Sequence, residues 1–230
     1  STLGDVPAGL QFTHDRVLVR SSVGVITQHA LQGATPPMTL AGKYKDMAVA
    51  GDRLWVTDIV SGKVSAFSLP NLTPIPLSMV DPPLADLIAA SVDKSTVVFA
   101  YSGHRNHTAT LIDARDSDTM RPLRTIEGYM AGIETIALNP SGDQLVTGSS
   151  IADVGRWDLR DGSRAMPLPD HERDYGRMVS MDYAPSGATV VSTNGSFTVR
   201  ARDGKTGLTR RPAPIIPMEK PIPAEAPEGL

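Results

Sequence analysis

Residues 149–162, SSIADVGRWDLRDG, contain a run of alternating apolar and polar side chains between two turn-like segments. Alternation over about four to eight residues predicts a strand that is buried on one face. The run ends in Trp157-Asp158, and a further acidic residue follows at Asp161. The stretch has two interpretations: an active-site loop that carries carboxylates, or one copy of a structural repeat.

Strand-like runs of similar character recur along the chain and favour the repeat. They begin at Val17, Leu54, Val97, Leu145 and Val190. The intervals between these starts are 37, 43, 48 and 45 residues. Proline–leucine pairs recur with a similar step, at residues 76, 122 and 167. A period of about 40–45 residues, made of short strands and turns, is typical of a β-propeller in which each repeat forms one four-stranded antiparallel sheet.

The predicted fold is therefore all-β, with about five blades in residues 1–209 and a proline-rich tail or linker in residues 210–230. A single sheet of this kind exposes two apolar faces, and stacking sheets around an axis buries both. Five blades can close a ring, whereas a seven-blade ring would need about 300 residues at this period. The sequence leaves open whether the chain is a whole ring or part of a larger one.

The fourth repeat carries the clearest motif. A turn at 139–143 reads NPSGD, and the closing strand at 155–159 reads GRWDL. These segments resemble the WD-repeat family, whose repeats run from a Gly-His pair through a Pro-Asp-Gly turn to a closing Trp-Asp. The resemblance weakens in the other repeats, and the fifth has Arg202-Asp203 where Trp-Asp would stand.

The resemblance implies structural roles for Trp157, Asp158 and Ser149 in the fourth blade, and we predict that Trp55 packs inside a strand core. Neighbouring residues on a strand point to opposite faces, whereas an acid–base pair needs carboxylates that converge across a cleft. We therefore interpret Asp153, Asp158 and Asp161 as turn and strand-end residues that accept hydrogen bonds from nearby backbone N–H groups.

The predicted function is recognition of a protein partner. In WD-type blades, the loops between the second and third strands and the connections between blades open on one common face. Aromatic, methionine and arginine side chains on such a face supply contact area and directional hydrogen bonds. The predicted partner-binding residues are Tyr101, His104, Arg105, His107, Tyr129, Met130, His171, Arg173 and Tyr175.

Catalysis and cofactor binding lack a recognisable motif. The sequence has no cysteine, no glycine-rich phosphate loop and no Gly-x-Ser-x-Gly elbow. His104 and His107 share a predicted loop, but the acidic residues at 113, 116 and 118 follow a strand later, so no metal site or cofactor is predicted. Two alternatives stay open: a propeller hydrolase that uses channel-facing polar residues, and an extracellular propeller that binds carbohydrate or another surface, which the Asn-x-Ser/Thr sequons would suit.

The charge of the chain excludes some partner classes. A formal net charge of −3 leaves no excess of cations, which argues against nucleic acid and against an anionic membrane surface as partners. The absence of cysteine fits a reducing, cytoplasmic compartment. We predict a non-catalytic scaffold or signalling module of the WD-repeat type, which binds a protein partner or other domains of a longer parent chain.

Overall fold

The computed structural model describes residues 6–33, 35–77, 84–93, 96–101, 110–129, 132–150, 154–165, 177–196 and 198–207. These residues form five antiparallel sheets, each made of strands that are consecutive in the chain. No helix in the described ranges is long and apolar enough to span a bilayer. The predicted division of the chain at residue 209 falls outside these ranges and stays a prediction.

The strands follow one another from the axis of the molecule to its rim. The first sheet consists of β1 (Pro7–Phe12), β2 (Arg16–Ser21), β3 (Ile26–Ala30) and β4 (Met38–Leu40). The second consists of β5 (Tyr44–Ala50), β6 (Arg53–Asp58), β7 (Val64–Ser68) and β8 (Thr73–Ile75). The third consists of β9 (Leu87–Ala90), β10 (Thr96–Tyr101), β11 (Thr110–Asp116) and β12 (Pro122–Tyr129). The fourth consists of β13 (Ile133–Leu138), β14 (Gln144–Ser149), β15 (Val154–Asp158) and β16 (Arg164–Ala165). The fifth consists of β17 (Met178–Tyr183), β18 (Thr189–Asn194) and β19 (Val199–Asp203).

This arrangement confirms the predicted all-β propeller with five blades, although the fifth sheet has three strands in the described part of the chain. The apolar runs that defined the sequence period lie in the second strand of each sheet, which is β2, β6, β10, β14 or β18. A second strand has a neighbour on both edges and a sheet on at least one face. Its side chains are therefore the most strictly apolar of each repeat.

The first strand of each sheet lies innermost, because β1, β5, β9, β13 and β17 contact one another in succession. Four of these strands, β1, β5, β13 and β17, carry a register shift near their first residue. A β-bulge of this kind bends the strand and increases its twist, and it re-aims one side chain. In β5 and β13 the residue at the bulge is charged, Lys45 and Glu134 respectively.

The core is divided among the interfaces between successive sheets. Four clusters of buried apolar side chains join the first sheet to the second, the second to the third, the third to the fourth, and the fourth to the fifth. Each fully buried large apolar side chain contributes about 1.5–3 kcal/mol. Among the residues that the structure describes, no comparable cluster joins the fifth sheet to the first. Representative members, in the order of the interfaces, are Leu18 and Leu54, Trp55 and Phe99, Ile112 and Trp157, and Val146 and Tyr183.

The rim strand of the third sheet is longer than the sequence pattern indicates. Tyr129 is among the residues predicted above to lie in the loops and inter-blade connections. Strand β12 instead runs from Pro122 to Tyr129, because its residues pair with β11 as far as Thr110. Tyr129 therefore stands at the end of a strand.

Candidate interaction face

One end of the propeller is built from two kinds of segment that the chain brings together. Backbone hydrogen bonds join the turn between the second and third strands of a sheet to the connection that enters the next sheet. The Tyr44 N–H donates to the Gly24 carbonyl oxygen at 2.7 Å, and the Ala85 N–H donates to the Gly62 carbonyl oxygen at 2.8 Å. We call this end of the ring the connection face.

The connection face exposes large apolar side chains from the first three sheets. Val60 is the most exposed, at 81%, and it lies in the turn between β6 and β7. At the opposite end of the ring, the described turns expose Leu31 and Val92, and Phe12 lies beside the turn that follows β1. Large exposed apolar side chains that gather at one end of a protein mark an interaction surface. The exposed apolar residues of the connection face are Val6, Val23, Ile59, Val60 and Leu84.

The turn that carries Val60 is held by its own polar groups. The Asp58 carboxylate accepts hydrogen bonds from the Val60 N–H at 3.0 Å, the Ser61 N–H at 2.7 Å and the Ser61 hydroxyl at 2.7 Å. These bonds, the one from the Ser61 N–H foremost, lower the pKa of Asp58 below its usual value. Lys63 also forms a β-bridge with Leu84 at the entry to the third sheet. Val60 and Leu84 are thus presented on restrained backbone, which reduces the entropy lost when a partner binds.

A cavity of about 760 Å³ lies between the innermost strands and extends to the connection face. Two ion pairs border it, each joining neighbouring sheets. Lys45 of β5 pairs with Asp86 at the entry to β9, and Arg177 pairs with Glu134 of β13 at 3.1 Å. These four charged side chains of the lining are therefore paired across the sheet boundaries.

Asp46 is the carboxylate of the cavity lining with the most unusual titration. It lies on β5 and is partly buried, and its Oδ2 accepts the Ile88 N–H of the third sheet at 2.9 Å. Burial raises the pKa of Asp46 to about 6, although its backbone hydrogen bonds and the nearby Arg20 and Lys45 act in the opposite direction. The side chain joins two blades, and its charge is unfavourable there.

The Asp46→Asn variant is expected to change how stability depends on pH. The folded state keeps a proton on Asp46 to a higher pH than the unfolded chain does, so the stability linked to that proton is present below about pH 4 and is lost as the pH rises through about 6. Asparagine can still accept the Ile88 N–H and carries no charge. Between pH 4 and pH 7 the wild type should therefore lose about 2–3 kcal/mol relative to the variant, since the pKa is raised by about two units and one pKa unit corresponds to about 1.4 kcal/mol. Urea unfolding across this pH range measures the difference.

Asp58→Asn provides the matched control for that experiment. Because the pKa of Asp58 is lowered by folding, the stability that this carboxylate contributes is present above its unfolded pKa and is lost as the pH falls. The two variants should therefore diverge from the wild type in opposite directions. Parallel stability curves for Asp46→Asn and the wild type would contradict the assignment of the buried charge.

Of the partner-binding residues predicted from sequence, the structure places two. Tyr101 ends β10 and borders the cavity, and Tyr129 ends β12, so both stand at the connection-face end of the third sheet. No sequence motif pointed to Val60 and Leu84. The one sequence feature that could have identified them is that they are apolar residues inside turn-like segments. The other predicted residues lie outside the described ranges: His104, Arg105, His107, Met130, His171, Arg173 and Tyr175.

The residues predicted to hold the blades together lie in strands and turns. Trp55 is fully buried between the second and third sheets, and Ser149 is fully buried at the end of β14. Trp157 is buried between the third and fourth sheets, where its indole Nε1 donates to the Thr147 hydroxyl at 3.1 Å. The sequence pattern had drawn attention to Ser149 on this strand, and not to Thr147.

The carboxylates of the motif stretch bind their own turn. Asp158 Oδ1 accepts the Arg160 N–H at 2.9 Å, and the Arg160 guanidinium also donates to this carboxylate. The hydrogen bonds from Arg160 lower the pKa of Asp158 to about 2. Asp161 accepts the Ser163 N–H at 2.7 Å. Asp153 lies outside the described ranges. Within the described ranges, no group of three or more His, Asp or Glu residues is placed to hold a metal ion.

The same turn recurs in other sheets. Asp116 after β11 accepts the Thr119 N–H at 2.8 Å, and Asp203 after β19 accepts the Thr206 N–H at 2.9 Å. In each case the carboxylate closes the turn between the third strand and the rim. The recurrence of one role at equivalent positions is what a structural repeat predicts.

A sequence comparison with known proteins independently supports the resemblance to WD-repeat proteins. The chain is similar to the guanine nucleotide-binding protein subunit beta of Solanum tuberosum, with 29% identity over 105 residues. The aligned part covers 45% of this chain and 27% of that relative, so the chain matches only about a quarter of the relative's length. No family model matches the chain.

Proposed function

Because the chain is a five-blade β-propeller that resembles the WD-repeat proteins, we propose that it is a non-catalytic interaction module that presents its connection face to a protein partner. The observation that carries this proposal is the set of exposed apolar side chains on that face, above all Val60 and Leu84. The relative named above is itself a subunit of a larger protein. A module of this kind acts by binding.

The chemistry of the connection face suits a protein surface. Apolar side chains on restrained turns provide contact area that excludes water, and interface centres have fewer charges than the rest of a protein surface. Around the cavity mouth, Lys45 with Asp86 and Arg177 with Glu134 provide charges of both signs. Balanced charge of this kind favours directional polar contacts at a rim over general attraction to a polyanion.

The acidic groups of the face support binding over catalysis. Asp58 closes a turn, while Asp86 and Glu134 are held in ion pairs. A general acid–base pair would require two carboxylates whose pKa values are set apart and that both reach a substrate. The pKa of Asp46 is raised while that of Asp58 is lowered, but the Asp46 carboxylate accepts the Ile88 N–H of the neighbouring sheet. Among the described residues, these four carboxylates are engaged in holding the protein's own backbone and side chains.

We extend the proposed surface to the third sheet through Tyr101 and Tyr129, which end β10 and β12 at the connection face. Tyrosine supplies a large apolar ring and one polar group, a combination enriched in interface hot spots. We further propose, from the sequence alone, that the partner is also bound by His104, Arg105, His107, Met130, His171, Arg173 and Tyr175.

A double variant, Val60→Asp with Leu84→Asp, tests the proposal. Both side chains are exposed, so the fold should remain intact while partner binding falls by about tenfold or more, as expected when hot-spot contacts worth about 1.4 kcal/mol or more are lost. Quantitative affinity enrichment from lysate of the natural host, with wild type and variant as baits, measures the loss. Circular dichroism and the unfolding midpoint verify the fold.

Val92→Asp is the matched control, because Val92 is 67% exposed at the opposite end of the ring. It should retain every protein that the double variant loses. A triple variant, Tyr129→Ala with Arg105→Ala and Arg173→Ala, examines the residues proposed from sequence on the same face. Retention of the same partners by the double variant, or their equal loss with Val92→Asp, would refute the role of the connection face.

A further inference from the structure

Each sheet of the propeller has two different faces. We call the face that packs on the preceding sheet the leading face, and the opposite one the trailing face. On the leading faces of the fourth and fifth sheets, two residues of the innermost strand are buried against the sheet before. These pairs are Ile136 with Leu138, and Met181 with Tyr183.

The first sheet has apolar residues at the equivalent positions, but they are exposed. Leu10 pairs with Val19, and Phe12 pairs with Val17 next to the turn, as Leu138 pairs with Leu145. Leu10 is 54% exposed and Phe12 is 64% exposed. Residues of a type that is buried in the other blades thus lie uncovered in the first.

The trailing face of the fifth sheet also has apolar residues that are exposed, although their equivalents in the fourth sheet are buried. In the fourth sheet, Val146 and Val154 of the trailing face are 3% and 2% exposed, because the fifth sheet covers them. Their equivalents in the fifth sheet are Val191 and Val199, which are 39% and 45% exposed. Asp182 adds one carboxylate to this face, opposite Val191.

The established interfaces indicate what would cover these two faces. At the third-to-fourth interface, a trailing face that combines alanines, such as Ala114, with branched side chains, such as Ile112, meets a leading face of bulky ones that includes Trp157. The exposed trailing face, with valine and Ala201, and the exposed leading face, with Leu10 and Phe12, continue this alternation. The innermost strands β1 and β17 also border the same cavity.

We propose that further antiparallel β-sheet of the propeller type stands between the fifth and first sheets, with a bulky leading face on Val191 and Val199 and a smaller trailing face on Leu10 and Phe12. The covering sheet also has to provide a polar partner for Asp182, since a charged group that loses contact with water without a partner is strongly unfavourable. The two exposed faces thus form a binding site for one or more blades, and this site is separate from the connection face.

The protein's own blades provide the probe. In one extended chain, a second copy of residues 130–174 is inserted after residue 207, and in another the inserted copy spans residues 130–207. The original chain is the reference. At least one extended chain should unfold in a single transition at a higher urea concentration, and its bis-ANS fluorescence should fall by about twofold or more as the terminal faces lose exposed apolar area.

Val191→Lys in the original fifth sheet tests whether the inserted blade uses the proposed face. It should hardly alter the unfolding midpoint of the original chain. In the extended chain, it should abolish the increase in the unfolding midpoint that the inserted blade provides. Val60→Lys, on an exposed turn of the second sheet, should leave that gain unchanged. An inserted blade that unfolds separately, or a gain that does not respond to Val191→Lys, would overturn the proposal.

The alternative is that a second copy of the chain covers the two exposed faces. Sedimentation velocity on the original chain tests for this self-association. We expect a monomer across the accessible concentration range. Association that grows with concentration and is lost in both Phe12→Lys and Val191→Lys would show that a second copy covers these faces, and it would overturn the proposal. None of these measurements depends on the connection face, so their failure leaves the proposed function standing.

Discussion

Replacement of Trp55 by alanine is expected to lower the free energy of unfolding by about 3–5 kcal/mol, the range for removing a fully buried large aromatic side chain. Trp55 has no exposed surface, and it packs in the cluster between the second and third sheets. Its ring meets Phe99 edge to face, with 6.1 Å between centroids. The cavity left by alanine would separate two blades near the middle of the chain, so urea unfolding should show a large decrease in the midpoint.

Trp55→Phe is the matched control. The Trp55 indole Nε1 is buried and has no hydrogen-bond partner in the described part of the chain, so phenylalanine removes an unpaired polar atom as well as some volume. An unpaired buried donor costs about 1–3 kcal/mol, which offsets part of the lost packing. Trp55→Phe should therefore cost well under half of what alanine costs. Equal losses for the two variants would show that the indole has a polar role.

The recurrence of apolar runs made the fold predictable from the sequence. Residues 54–56 and 97–99 lie on second strands that are covered by sheets on both faces, so each position has to be apolar whatever the function of the protein. The rim and the turns are under weaker constraint. For that reason the end of β12 at Tyr129 and the short strand β16 could not be located from the pattern.

The proposed interaction surface was less predictable, for a physical reason. Val60 and Leu84 belong to different blades and meet at one end only because β-strands bring a turn and an inter-sheet connection together through backbone hydrogen bonds. Backbone bonds leave no signature in side-chain type. The turn carboxylates could be predicted from the sequence, because Asp158 and Asp161 each lie two residues from the N–H group whose hydrogen bond they accept.

The uncovered terminal faces illustrate the same limit. From the sequence, Leu10 and Val191 look like the buried residues of any other blade, because alternation reports that a face is apolar and does not report what covers it. Only the packing of successive sheets reveals that these two faces differ from Met181 and Val146, their buried equivalents. Burial is a property of the assembled ring, while the pattern belongs to each repeat.

Trp157→Ala should be nearly as damaging as Trp55→Ala, with a loss of about 3–5 kcal/mol. Trp157 is buried in the cluster that joins the third and fourth sheets, and the Arg164 guanidinium lies 5.4 Å from the centre of its ring. The two tryptophans nevertheless differ in the hydrogen bonding of the indole N–H, and substitution by phenylalanine reveals this difference. Trp157 donates its indole N–H to the Thr147 hydroxyl, while the Trp55 indole has no such acceptor among the residues that the structure describes.

Trp157→Phe should consequently cost more than Trp55→Phe, because it leaves the fully buried Thr147 hydroxyl without the indole donor. Thr147→Val in the same chain removes that hydroxyl, and replacing both partners by apolar groups of similar shape is close to neutral for the hydrogen bond itself. A double-mutant cycle should therefore give a coupling energy of about 1 kcal/mol. Coupling near zero would mean that packing alone explains the role of Trp157. A positive coupling would show that the Trp157–Thr147 hydrogen bond is a side-chain contact that stabilises β14 against β15. This bond would then hold Trp157 in the face of the fourth blade that packs on the third.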